Sequence, residues 1–167
     1  MRYAAFLRAV NVGGTGKLPM ADLRRICNEI GLLDVKTYIA SGNVALTHDG
    51  PASEVAESLE KALAHHAGKP VGVIVRTAAQ LADILSQNPF AEVPGNRVLV
   101  TLLPAGTAAT TDAKNQTTEE IVAAPSHIYV NYPEGIGQSR LILSASKLGT
   151  ARNLNTIKAM SDLLAAP

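Results

Sequence analysis

The residues best suited to chemistry lie in one short stretch. Arg8-Ala9-Val10-Asn11-Val12-Gly13-Gly14-Thr15-Gly16-Lys17 sets three glycines between two cations. Glycine lets backbone N–H groups approach a ligand, and successive N–H groups can form an anion-binding concavity. Arg8, Asn11, Gly13, Gly14, Gly16 and Lys17 are therefore candidate ligand contacts. The stretch is not a P-loop, which needs Gly, four residues and then Gly-Lys-Ser/Thr. Here Gly16-Lys17 is followed by Leu18, and Asn11 stands where the first glycine belongs. Nor is it a dinucleotide fingerprint, because Gly14-Thr15-Gly16 runs on into Lys-Leu-Pro. The plainer reading is a flexible connection with a solvated lysine.

A second candidate is Thr150-Ala151-Arg152-Asn153-Leu154-Asn155-Thr156. Arginine presents a planar fork suited to phosphate or carboxylate. Arg152 precedes a helical pattern, whose N-terminus favours an anion. Asn153 is a good N-cap, and Asn155 and Thr156 would add polar groups in the first turn. The structural alternative makes Asn153 only a cap and Arg152 a clamp on a carbonyl or carboxylate. The third candidate is Thr37-Tyr38-Ile39-Ala40-Ser41-Gly42-Asn43, where Ser41 and Asn43 suit a turn and could also reach a ligand.

Other reactive types read as structural. His48, His65, His66 and His127 lack metal-ligand spacing and a cysteine partner, so no metal site is expected. Cys27 falls on the inward stripe of a helix and reads as a small buried residue. Glu119-Glu120 lies in a polar segment and reads as solvated surface. No general base stands out, so the residues assign no reaction and no cofactor.

The elements that must position these groups follow from periodicity. Strands are expected near 3–9, 35–40, 44–47 and 71–76, and helices near 19–30 and 52–66. This βαββαβ order is the ferredoxin-like pattern. It is expected to place strands one and four beside strand three, with both helices on one sheet face. Tyr3, Ala5 and Leu7 alternate with Ala4 and Phe6, so the first strand should be buried on both faces. The second half of the chain is then expected to cover the open face or edge of the sheet.

Thr77-Ala78-Ala79-Gln80 reads as a capping box for a helix to about Gln87, which Asn88-Pro89 ends. Residues 90–96 read as a linker. Strands are expected at 97–103, 127–132 and 140–144, a short helix from Thr117 to Ala123, and a last helix at 153–165. The fold class is α+β, with a ferredoxin-like lobe and an added helix at 1–88 and a smaller mixed α/β lobe at 89–167.

Composition limits the partners. The 167 residues carry 15 basic and 14 acidic side chains, net +1, with no basic stripe for non-specific nucleic-acid binding. A single cysteine excludes an intrachain disulfide. No apolar run is long enough for a membrane span, and a cytoplasmic protein is expected.

Four ordered motifs resemble a bacterial family known only as a domain of unknown function. That family reads FLRGINVGG, a loop ending in Lys, then PM, TYIxSGNV, NPF and TxRNxNT. Here they stand as Phe6 to Gly14, Lys17, Pro19-Met20, Thr37 to Val44, Asn88-Pro89-Phe90 and Thr150 to Thr156. Ala9 replaces the family's usual glycine, and Ser139-Arg140 its Ser-Lys. The resemblance implies a ferredoxin-like lobe plus a smaller α/β lobe, and no established activity, cofactor or catalytic residue.

The sequence therefore supports a small anionic ligand, a nucleotide or phosphorylated metabolite, held in an inter-lobe cleft where Arg8, Arg152 and the glycine loop converge. The alternatives are a nucleic-acid-binding module and a protein-interaction scaffold. Aromatics at 4% argue against the first of these.

Overall fold

A continuous apolar run, Tyr3 to Leu7, makes Arg2–Leu7 a strand, β1, and it becomes an inner strand of an antiparallel sheet. The computed structural model describes residues 1–8, 17–39 and 41–166. The chain divides into two units, Met1–Ala82 with Ala159–Pro167, and Asp83–Lys158. The first unit continues through α1 (Met20–Glu29), β2 (Leu33–Tyr38), β3 (Asn43–Thr47), α2 (Ala52–Ala67) and β4 (Val73–Thr77). This is the βαββαβ order read from the sequence.

The sheet order is β2-β3-β1-β4. As expected, β1 and β3 are adjacent, with Ala4 opposite Ala45. The expectation that the fourth strand also borders the third is corrected: β4 pairs with β1, Ala5 lying opposite Val75. Both β3 and β4 run antiparallel to β1, so they are parallel to each other. A helical crossover returns the chain in the same direction, and in an antiparallel sheet the returning strand must skip one position.

Helix α1 starts after Pro19, whose carbonyl accepts from Leu23 N at 3.1 Å. Helix α2 stops at Gly68, which at φ +71° takes the left-handed conformation and donates to Ala64 O. Leu23, Ile26 and Cys27 of α1 and Val55, Leu59 and Leu63 of α2 pack with Tyr3, Ala5 and Leu7 in one core. Ala4 and Phe6, on the other face of β1, are also fully buried.

The predicted capping box begins α3 (Ala78–Ser86): Thr77 N donates to Gln80 Oε1 at 2.8 Å, and Gln80 N to Thr77 Oγ1 at 3.2 Å. The second unit then holds β5 (Val98–Leu102), β6 (Ala113–Lys114), β7 (Glu120–Ala123), β8 (His127–Asn131), β9 (Ile142–Leu143) and β10 (Thr150–Asn153). Its four-stranded sheet runs β10-β5-β8-β7, all pairs antiparallel, and β6 and β9 form a separate ribbon. Helix α4 (Leu154–Ala165) ends the chain's regular structure. Helices beside antiparallel sheets make the fold α+β.

Three local expectations are corrected. The short helix expected from Thr117 is strand β7, because β-branched Ile121 and Val122 pair with β8. The strand expected at 140–144 contracts to β9. Residues Thr150–Asn153, read as a helix approach, form strand β10. Among the described residues, no helix is long and apolar enough to cross a membrane.

Candidate functional site

The C-terminal end of β1 gathers two other segments through its backbone. Leu7 N donates to Gly42 O at 2.8 Å, and Arg8 N donates to Gly72 O at 2.9 Å. A Cβ on Gly72 would lie 3.5 Å from Arg8 Cβ and 3.6 Å from Arg8 Cδ, so the arginine's aliphatic stem runs across that glycine. Arg8 is half-buried and Lys17 exposed. Asn11, Gly13, Gly14 and Gly16 lie outside the described residues, as does residue 40 of the third candidate.

The turn between β2 and β3 is fixed by Asn43. Its side chain is fully buried, and Nδ2 donates to Tyr38 O at 2.9 Å and to Ser41 Oγ at 3.0 Å. Gly42 sits at φ +87° and Ile39 at φ +46°. The left-handed region is costly for a β-branched residue, so the Ile39 backbone is held there by its surroundings. The structure thus brings Arg8, Gly42, Ser41 and Asn43 to one end of the first unit's sheet.

Arg152, Asn153 and Asn155 belong to the second unit. Arg152 lies in β10 opposite Val100, 7% exposed, and Nη1 donates to Thr150 Oγ1 at 2.6 Å and Ala151 O at 3.0 Å. Burial disfavours the charged form and lowers its pKa to about 10, so the side chain stays a cation at neutral pH. Asn153 is the N-cap expected of it: Oδ1 accepts from Thr156 N at 2.9 Å. Asn155 has a steric partner in Gly95, where a Cβ would fall within 3.3 Å of the Asn155 side chain and backbone N.

Sequence reasoning missed four buried polar side chains. Arg76 on β4 lies opposite Ala4, and burial lowers its pKa. The apolar neighbours Val73 to Val75 were the available signal, since a strand that buried leaves no exit for the next side chain. Glu119 was expected at the surface but is 6% exposed. It accepts from Ser139 Oγ and from Thr117 N and Oγ1, and those bonds hold its pKa near 2. His127 and Tyr129, two residues apart on β8, meet as a buried pair with Nε2 and Oη 3.0 Å apart.

Cys27 is fully buried on α1, and desolvation raises its pKa to about 12, outweighing a backbone hydrogen bond that lowers it. The thiolate is the reactive form. A thiol reagent at neutral pH is therefore expected to label the urea-unfolded chain quickly and the native chain only at the rate of opening; fast native labelling would restore Cys27 as a nucleophile. His48 instead lies 3.2 Å from Glu54 Oε2. Among the described residues, no group of three or more His, Cys, Asp or Glu is placed to hold a metal.

Comparison with known proteins places this architecture. The structure superposes on that of a conserved bacterial protein, SP0830 from Streptococcus pneumoniae, with a TM-score of 0.73 over 98% of each chain at 20% identity. A likeness at that identity speaks for the fold. No match is found among curated proteins. The family model described as "Protein of unknown function (DUF1697)" matches residues 1–129, and the chain belongs to that family.

Proposed function

We propose that the protein binds a small anionic molecule, a nucleotide or another phosphorylated metabolite, at the end of β1. On this reading the first unit, with its βαββαβ order, is ferredoxin-like. Arg8 and Lys17 supply charge, Gly13, Gly14 and Gly16 supply backbone donors, and Asn11 and Ser41 orient the ligand, with the buried Asn43 holding the Ser41 hydroxyl in place. The observation that carries the reading is the pair of backbone bonds from Leu7 to Gly42 and from Arg8 to Gly72. They fix the point where the Arg8–Lys17 segment leaves the sheet. A fixed Arg8 backbone lowers the entropy lost when its guanidinium meets a ligand.

A structural reading competes for the second motif. Asn153 caps α4 and Asn155 seats against Gly95, which accounts for both without a ligand. Arg152 remains a candidate because its guanidinium matches phosphate geometry.

A thermal-shift panel of inorganic phosphate, nucleoside phosphates and sugar phosphates tests the proposal. A compound at about a hundredfold its Kd is expected to stabilise by roughly 2.7 kcal/mol. Arg8→Ala should abolish that response, and Lys17→Ala should weaken it less, since a lysine holds an anion as a point charge. For Arg152→Ala, a lost response at an unchanged melting point assigns the guanidinium to the ligand. A lowered melting point with the response retained assigns it to β10. A panel in which no anion shifts the melting point removes the proposal.

A further inference from the structure

A cavity opens around Arg2, at the end of β1 away from Arg8. Arg2, Asp34, Val35, Lys36, Thr47 and Ala166 line it, all within the first unit. It holds about 520 Å³, within the range of small-ligand sites. The strand register builds it. Arg2 lies opposite Thr47, and Lys36 lies opposite Ala45, two residues along β3 from Thr47. Cross-strand partners share a sheet face, as do residues two apart on a strand, so Arg2, Thr47 and Lys36 stand on one face. Between Leu33 and Lys36 the ladder bulges: Asp34 and Val35 stand where β3 has the single residue Leu46. Asp34 takes φ +51°, a left-handed conformation that aspartate tolerates, and the bulge brings it into the lining. Arg2 is anchored, because its Nη1 donates to Leu164 O and Ala166 O. Its Nε and Nη2 donors remain for another partner.

The lining dictates what fits. It carries two cations, Arg2 and Lys36, and one anion, Asp34. Among the described residues, none of the three is in an ion pair. A matching occupant has two negative groups, one positive group and a net charge of −1. A plain anion would be repelled by Asp34, and a plain amine by both cations. Two carboxylates and one ammonium are the charged groups of an acidic α-amino acid. Val35 and Ala166 offer apolar surface to its methylenes, and the Thr47 hydroxyl can donate to the carboxylate beside Arg2. We infer that this cavity binds an acidic amino acid of the glutamate type, its ammonium at Asp34 and one carboxylate at each cation. The site is distinct from the one proposed at Arg8, since a six-residue strand, roughly 20 Å long, lies between them.

Chemical-shift titration of the backbone amides with glutamate, glutarate and 4-aminobutyrate tests the assignment. Glutarate lacks the ammonium, and 4-aminobutyrate lacks the second carboxylate. Glutamate is expected to bind several-fold tighter than either, the scale of an exposed ion pair, and to shift the signals of residues 34–36 and 47. Asp34→Asn removes the charge and keeps a residue that tolerates the left-handed backbone. It should abolish the preference for glutamate over glutarate. Lys36→Gln, on an exposed side chain, should abolish the preference for glutamate over 4-aminobutyrate. Equal affinities for the three compounds, a preference that survives its substitution, or glutamate-induced shifts that leave residues 34–36 and 47 unmoved would overturn the assignment. Absence of glutamate binding overturns it too, and leaves the phosphate panel at Arg8 to be judged by its own result.

Discussion

Leu59→Ala is expected to lower the unfolding free energy by about 2–5 kcal/mol, the range for a fully buried leucine truncated in a packed core. Leu59 has no exposed surface and sits at the middle of the Val55, Leu59, Leu63 stripe of α2. The same core holds Leu7, Leu23 and Leu46, contributed by β1, α1 and β3. Removing the side chain opens a cavity in a core that these elements share, and a strand fixed in register cannot collapse into the space. A domain's whole stability is about 5–15 kcal/mol, so this loss is a large share of it. The measurement is the urea midpoint, which should fall with the slope unchanged. Ile26→Ala, 4% exposed on α1, should behave alike. Midpoints equal to the unsubstituted protein would remove both residues from the core.

Tyr129→Phe is expected to cost about 1–3 kcal/mol although it deletes a single oxygen, because it leaves buried partners unpaired. Tyr129 Oη donates to Ile84 O at 2.7 Å. A phenol has one hydrogen, so His127 Nε2, 3.0 Å from the same oxygen, must donate its own N–H to it. This fixes the neutral tautomer of His127 and turns the Nδ1 lone pair toward Ser126 Oγ, 3.5 Å away. Burial, with Asp83 adding to it, raises the phenol's pKa to about 12, so the hydroxyl keeps its hydrogen. Phenylalanine preserves the ring, including its edge contact with the imidazole at 4.9 Å, and isolates the hydrogen bonds. Urea unfolding gives the cost, and nitrogen chemical shifts of His127 give the tautomer. An unchanged midpoint, or a proton found on Nδ1, would refute this arrangement.

What could be read from the sequence depended on how local the cause was. The helices carry their own period and stops, and the Thr77–Gln80 box is satisfied within four residues. The N-cap at Asn153 is equally local. Thr117 and Glu120 have the spacing of a helix cap, which points to a helix where β7 forms, whereas the group that meets Thr117 N is the side chain of Glu119. Ser139, twenty residues away, completes that carboxylate's shell and cannot be found from sequence spacing. Strand β10 hides for a related reason: Thr150-Ala151-Arg152-Asn153 shows no apolar alternation. Its strand character comes from β5, and the burial of Arg152 follows from that pairing. Of the candidate site, the turn chemistry of Ser41 and Asn43 was legible, while the meeting of Gly42 and Gly72 at the end of β1 required the strand order.

The first unit is discontinuous in the chain, and that has a consequence for biosynthesis. Arg2, at the start of β1, donates from Nη1 to Leu164 O and Ala166 O at the end of α4. Those carbonyls are the acceptors a helix C-terminus leaves unpaired. A chain emerging from the ribosome can pair β1 with β3 and β4 after about half of it has been made. The Arg2 guanidinium must then wait for Leu164 and Ala166 before it finds these partners. Domain-by-domain folding from the N-terminus, the usual order during synthesis, is therefore left incomplete for this unit until α4 has been made. A fragment cut after Ala82 would keep all four strands of this sheet and lack the clasp that joins β1 to the end of α4.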